Sequence, residues 1–415
     1  MVIKNKKGKE YITCEMIFII AYSIMLINRI YVISGVHEFK LNPTLIQVGY
    51  IAVLVFVEFW RNSKLVLKCK INDASIIIFL LSIYAIAFGY IFINPIMKLY
   101  TESFAQRQLL FLGVIISTLF FVRKYNLIDI LIRTNYYSLI LVLLIQFFLN
   151  IKDIYNINIL AIFNLNERSR VNFGLGHYNY LGTICAATII MGILMLNTCK
   201  MQKREKRIMY LIAIPVLIML LGSASRNAII GILIFIIVEI YIKINEVVHI
   251  KKDRFIIKFI LATIVGVLLL LNFGGGKYED ALMYSNRYTI FYNAIPAFFR
   301  SGRTLIGLGL ASPEVYGQNL TQYKTYWLDN GYAYTLITTG YIGMIIYGIV
   351  ILLIFKNLKK ASNISITGKI IFGIYVMYLF GSLFEATLFN GGVLQNYIYI
   401  PIFLLYCSKK NYRKV

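Results

Sequence analysis

The chain has 415 residues, 59% of them apolar and 14% charged, with 42 Lys and Arg against 18 Asp and Glu. Soluble domains are nearer about 25% charged and about 45–50% apolar, so a water-soluble fold of this length is excluded. The net charge of +24 sits in short clusters between apolar runs rather than along one basic face, which argues against nucleic acid as a partner.

A membrane-crossing helix needs about 20 apolar residues. In chain order the apolar runs predict twelve spans, at about 11–33, 44–60, 73–94, 108–122, 135–151, 177–197, 208–222, 227–243, 256–273, 330–355, 369–388 and 393–408. The expected fold is therefore all-α and polytopic, a single integral membrane domain over 1–415. Lys4, Lys6, Lys7 and Lys9 precede the first run, but no small-residue cleavage site follows, so it reads as a retained span rather than a signal peptide. The seventh and eighth spans are short and joined by a tight turn, Ser223-Ala224-Ser225-Arg226.

With the N-terminus inside, 28 Lys and Arg fall in inner segments and 12 in outer ones. Every inner segment then holds at least three, as the positive-inside rule requires. Arg29 and Lys258 lie within spans near their ends. Both termini are expected in the cytoplasm. One outer segment is long: the loop at 272–328 between spans nine and ten, with a surface helix expected over 279–299 that ends near Ser301-Gly302. A smaller outer segment covers 151–176. Cys14, Cys69, Cys185, Cys199 and Cys407 all fall away from outer loops, so neither disulfides nor a Cys/His metal site is expected.

Cations held near hydrocarbon cost roughly 2.5–3.5 kcal/mol at a span's centre, so those at membrane depth call for a function. The short turn between spans seven and eight should draw Arg226 below the outer surface, among small residues that leave room for a ligand. Arg168 to Gly182 leads from an outer loop into span six and carries Arg170, the glycines 174 and 176, His177 and Asn179 at its mouth. His177 fits either a proton carrier or a hydrogen-bond donor, or simply a solvated residue at the start of a helix. In the long loop stand Arg287, Arg300 and Arg303, then Gly307 and Gly309. Arginine suits phosphate because its planar donors grip oxygens in pairs without losing charge. Headgroup contact accounts for Arg300 and Arg303. Asp329, Asn330 and Tyr332 begin span ten, where Asp329 could cap the helix. Glu279, Asp280, Glu314 and Glu385 are further outward carboxylates.

Together these segments resemble the O-antigen ligase and Wzy-type polysaccharide polymerase superfamily. The likeness is carried by Arg170 to Gly174 with His177 and Asn179 entering a span, and by the Ser225-Arg226 turn between two short spans. A further Arg of the long loop is matched to Arg287, followed by Gly307-x-Gly309. The most specific likeness is Asp329-Asn330, nine residues, then Gly340-Tyr341-Ile342-Gly343. Ligases carry His where this chain has Asp329, which favours a polymerase relative.

The resemblance implies a GT-C-like membrane glycosyltransferase that joins undecaprenyl-diphosphate-linked oligosaccharide repeat units into capsular, exopolysaccharide or O-antigen chains. It implies a bacterial cytoplasmic membrane with the site facing outward, and chain-length regulator and flippase proteins of the same pathway as partners. Arg226 and Arg287 would stabilise the leaving diphosphate, and Asp329, or else His177, would take the acceptor's proton. Arg170, His177, Asn179, Asn330 and Tyr332 would bind substrate. The donor is already activated and no Asp-x-Asp stands in the chain, so neither cofactor, metal nor nucleotide is expected. Two alternatives stay open: a ligase that moves finished glycan to another acceptor, and a flippase or other transporter.

Overall fold

The computed structural model describes residues 6–34, 41–62, 73–92, 98–158, 170–248, 294–313, 315, 328 and 330–408. Among them there are helices and no strands. The helices are α1 (Lys6–Ser34), α2 (Pro43–Asn62), α3 (Asp73–Ile86), α4 (Lys98–Tyr125), α5 (Ile128–Leu149), α6 (Tyr178–Thr198) and α7 (Lys203–Ser223). They continue with α8 (Arg226–Val248), α9 (Ile295–Arg300), α10 (Gly331–Ser362), α11 (Ile366–Gly381) and α12 (Leu394–Ser408). A π-helical turn, Ala87–Ile91, extends α3, and a 3-10 turn, Ile151–Asn156, follows α5.

Eight of these, α1 to α7 and α10, are long and apolar enough to cross a membrane, counting the π turn with α3. Their outward faces are apolar as well. Phe56, Phe59, Trp60, Leu211 and Leu352 are each more than half exposed, a surface that water would not tolerate but lipid would. This is the fold of a polytopic membrane protein. The expected ninth span, the first fifteen residues of the expected surface helix and most of the loop at 272–328 lie outside the described residues. The surface helix's last turns are described: α9 ends at Arg300, and Gly302 (φ +70°) follows in a turn.

α12 is the central post. Every residue from Asn396 to Cys407 is buried, and the helix packs against α1, α3, α4, α10 and α11. Around it, α1 meets α5, α5 meets α6, α6 meets α8, α8 meets α11 and α11 meets α10, while α2 and α7 lie outside on α1 and α6. The helices run in alternation, so side chains gather at two ends. One end holds the Lys124–Glu58 and Arg133–Glu205 ion pairs and the Asn357 Nδ2 to Asp73 bond of 2.8 Å. The other holds the α7–α8 turn and the α11–α12 connection.

Several helices differ in extent from the periodic runs. α7 is longer than the apolar run, because Lys203 to Arg207 begin it as helix, where Glu205 pairs with Arg133 at 2.6 Å, and α8 runs on to Val248. The eleventh helix stops at Gly381, and residues 382–393 form a folded connection instead of helix. Ser382 Oγ bonds to the Tyr378 carbonyl (2.9 Å) and to Thr387 Oγ1 (2.7 Å), which turns the chain out of the helix.

α10 is broken. Gly340 has φ +62° and ψ −161°, a conformation reserved for glycine. The segment 303–311 fills the break. Leu308 and Gly309 N–H donate to the Ile337 and Thr338 carbonyls (3.0 and 2.8 Å), and Tyr341 and Ile342 N–H donate to the Thr304 and Leu305 carbonyls (3.0 and 3.1 Å). Leu310 N–H also donates to Phe88 O in the π turn (3.1 Å). Backbone groups at membrane depth must be paired, and here the broken helix and the inserted segment pair each other's. Gly307, at φ +72°, presses on the Thr338–Thr339 backbone as Gly340 presses on Leu305. Arg303 fixes the segment, with Nε on Gly307 O (3.0 Å) and Nη2 on Phe92 O (2.8 Å). Its guanidinium therefore has a structural task, rather than the headgroup contact the sequence suggested.

Candidate active site

The site begins with the α7–α8 turn. Only Ala224 and Ser225 separate the two helices, and Ala224 takes a left-handed φ of +45° to reverse the chain so tightly. Ser223 Oγ donates to Leu220 O (2.6 Å) and accepts from Ser225 N–H (3.3 Å), which closes the turn from within. Gly182 of α6 lies against Ser225 so closely that a Cβ there would meet the serine side chain. Ser223, Ala224 and Ser225 are buried, and Arg226 opens α8 half-buried. The shortness of the turn thus does draw Arg226 into the bundle.

The segment before α6 is tied to the same turn by Val171 N–H on Gly222 O (2.9 Å). This brings Arg170 beside the α6 mouth, with Cζ 4.1 Å from the Tyr178 ring centroid and a buried Nε that has no hydrogen-bond partner. His177 is the N-cap of α6, its Nδ1 accepting from Asn179 N–H at 3.2 Å. Partial desolvation, and then the Arg170 charge, hold the imidazole below its ordinary pKa of 6.5. With Nδ1 serving as acceptor, the neutral ring carries its proton on Nε2. His177 is therefore a donor in this geometry, and its role as a base is disfavoured.

These residues open onto one cavity of about 920 Å³, near the top of the range of about 300–1,000 Å³ usual for small-molecule sites. Arg170, His177, Asn179 and Arg226 all line it. So do residues that the sequence reading did not single out as site residues: Arg29, Arg107, Asn390 and Gln395. Glu385, seen only as an outward carboxylate, lines it too; among the described lining residues it is the one carboxylate. Arg29 sits about 7 Å along α1 from that helix's last residue, and its position inside an apolar run was the signal available. Arg107 carried no such signal, because it lies where the apolar pattern predicts a loop and the structure has the third turn of α4. A narrow cleft continues from the cavity between α6, α8, α11 and α12, lined by Ala186, Ala228, Gly231, Met377 and Tyr399 among others.

Asn330 and Tyr332 have other work. Asn330 caps α10, Oδ1 accepting from Tyr332 and Ala333 N–H (3.0 and 2.9 Å) while Nδ2 donates to Leu383 O (2.9 Å). Tyr332 OH donates to Leu379 O (3.0 Å). Both therefore dock α10 onto the end of α11 and so position the connection that carries Glu385. Arg287 and Asp329 lie outside the described residues.

The α11–α12 connection is rigidly built. Tyr378 OH accepts from Phe389 N–H (2.7 Å) and bonds to Asn396 Oδ1 (2.8 Å), whose Nδ2 donates to Thr387 and Asn390 carbonyls (2.7 and 2.8 Å). From α4, Gln108 donates to Phe389 O (2.7 Å) and accepts from Gly391 N–H (2.8 Å). The cavity is thus a concave, cation-rich pocket with one carboxylate among its described lining residues, held on hydrogen-bonded backbone at the end of the bundle opposite the start of α1. No family model matches the chain, and no curated protein matches it.

Proposed function

We propose that the protein is a membrane glycosyltransferase that joins lipid-diphosphate-linked oligosaccharide repeat units into a longer glycan, with undecaprenyl diphosphate as carrier. The observation that carries this reading is the convergence of Arg170 and Arg226 with His177 and Asn179 on one cavity. Growing negative charge on a departing diphosphate is best stabilised by cations already in place where water is scarce, and two guanidiniums offer paired donors for that charge.

In this reading Arg226 and Arg170 hold the leaving diphosphate, with Arg287 of the long loop assisting. His177 donates from Nε2 to a phosphate or sugar oxygen. The acceptor hydroxyl must lose its proton as it attacks, and Asp329 and Glu385 are the carboxylates assigned to take it. The narrow cleft between α6, α8, α11 and α12 suits an apolar chain leaving the cavity. With the twelve spans expected, the positive-inside rule sets both termini in the cytoplasm and the cavity outside.

A transporter commonly uses a broken helix to bind its cargo. The break in α10 speaks for no such use, because its backbone groups are paired by the chain's own segment 303–311.

The test is glycan length on producing cells that carry wild type, Arg226→Ala, Arg287→Ala or Asp329→Asn at matched protein levels. Single repeat units in the variants and long polymer in wild type support the assignment. Long polymer retained on its lipid carrier would indicate a ligase. Normal surface polymer in all three variants would overturn the site.

A further inference from the structure

We infer that the cavity contains a second anion subsite, at Arg29 and Arg107, which takes a phosphate or diphosphate group distinct from the one held by Arg170 and Arg226. The four arginines fall into two groups by their attachments. Arg170 and Arg226 belong to the joined α6 mouth and α7–α8 turn. Arg29 and Arg107 belong to α1 and α4, two helices that both grip the α11–α12 connection. Arg29 Nη2 donates to Gly391 O (2.6 Å), and Gln108, next to Arg107, brackets Phe389 and Gly391.

Arg29 is only 7% exposed, yet it lines the cavity, and its buried Nε has no hydrogen-bond partner. Its Cζ lies 5.3 Å from the Tyr397 ring centroid, which orients the guanidinium without neutralising it. No ion pair of Arg29 with a carboxylate occurs among the described residues. A guanidinium cannot discharge by losing its proton, so a buried one with an unmet donor calls for an anion. Arg107 is exposed to the same cavity and supplies a second cation.

This inference rests on the proposed transfer for the identity of its ligand. Transfer between two carriers requires two diphosphates in one cavity, and the shared chemistry is a polyanionic phosphate that either the acceptor's carrier or a membrane-lipid headgroup could present. The test is the number of undecaprenyl diphosphate molecules retained by the purified full chain in nanodiscs of neutral phosphatidylcholine, read by native mass spectrometry. Wild type should retain two. Arg107→Gln, Arg29→Lys and Arg226→Gln should each retain one, with at least a tenfold weaker second binding. The two sides combined, Arg107→Gln with Arg226→Gln, should retain none.

A single equivalent in wild type, or two in Arg107→Gln, would overturn the subsite. Arg107→Gln keeps this reading independent of any folding defect at the buried Arg29. Excess phosphatidylglycerol identifies the source: loss of only the Arg107-dependent equivalent assigns the subsite to a headgroup, and its retention assigns it to the carrier. Glycan assembly from extracted lipid-linked repeat units, run on the same samples, separates the two claims. Two equivalents without polymer would leave the subsite and sink the transferase, whereas polymer with a single equivalent would do the reverse.

Discussion

Replacing Gly340 with Ala tests the pairing of the broken helix with segment 303–311, which leads into the cavity-lining Ser312 and Pro313. At φ +62° and ψ −161° an L-residue is strained by about 1–3 kcal/mol. Its Cβ would also come within 2.5 Å of the Leu305 backbone and the Thr304 carbonyl oxygen, so the segment 303–311 would have to withdraw. Four backbone hydrogen bonds bridge segment and helix, and losing two of them removes about 2 kcal/mol net. The total is about 3–5 kcal/mol, more than about a hundredfold in the folded ratio. Gly348 lies in the same helix with nothing within 4 Å of a Cβ, so Gly348→Ala should gain about 0.5–1 kcal/mol. Both variants can be unfolded with dodecyl sulfate in mixed micelles and followed by circular dichroism. Equal stability of Gly340→Ala and Gly348→Ala would refute the inserted segment.

Two more expectations concern the cavity's titratable groups. His177 should titrate below 6.5, and Arg170→Gln should raise its pKa by removing the neighbouring charge, although desolvation keeps it below the free value. The chain has three histidines, so imidazole carbon shifts can be assigned with His177→Gln as reference. An unmoved pKa in Arg170→Gln would separate the two residues. The sign for stability follows: the unfolded imidazole binds its proton first, so this group's contribution is complete above about pH 6.5 and falls as pH drops towards the lower folded value. Glu385→Gln should lower the rate of glycan assembly by about 10²–10⁴-fold, the range for a positioned acid or base, with Glu385→Asp recovering part of it. Assembly at the wild-type rate in Glu385→Gln would leave Asp329 as the proton acceptor.

The parts of the site legible in the sequence were those whose reason is local. A two-residue reversal between apolar runs can only hold Arg226 at the bundle's edge, and Arg170, His177 and Asn179 follow from the same reading of a loop that enters a helix. Gly307, Gly309 and Gly340 were visible as glycines but not as partners, since the contact that requires two of them joins segments about thirty residues apart. The end of α11 was illegible for a related reason. Leu383, Phe384, Ala386, Leu388 and Phe389 continue an apolar run, and nothing local stops the helix. Tyr378, Asn396 and Gln108 supply the competing hydrogen bonds from one position inside the helix and two in other helices. Arg107 was hidden because composition at the start of α4 is polar enough to read as loop.

The wall that carries Glu385 also bears on what kind of machine this is. Residues 382–393 are bonded to α1 through Arg29, to α4 through Gln108, to α10 through Asn330 and the Gly331 N–H, and to α12 through Asn396. A carrier that alternates between two openings must break and remake such contacts, and each buried polar group left unpaired costs about 1–3 kcal/mol. Four helices anchored to one connection would have to move together or lose several bonds at once. An enzyme that stabilises developing charge needs the reverse property, donors and dipoles that do not reorganise during the reaction. The rigidity of this connection, set against the cation-rich space it faces, is the physical ground for preferring a transferase over a transporter.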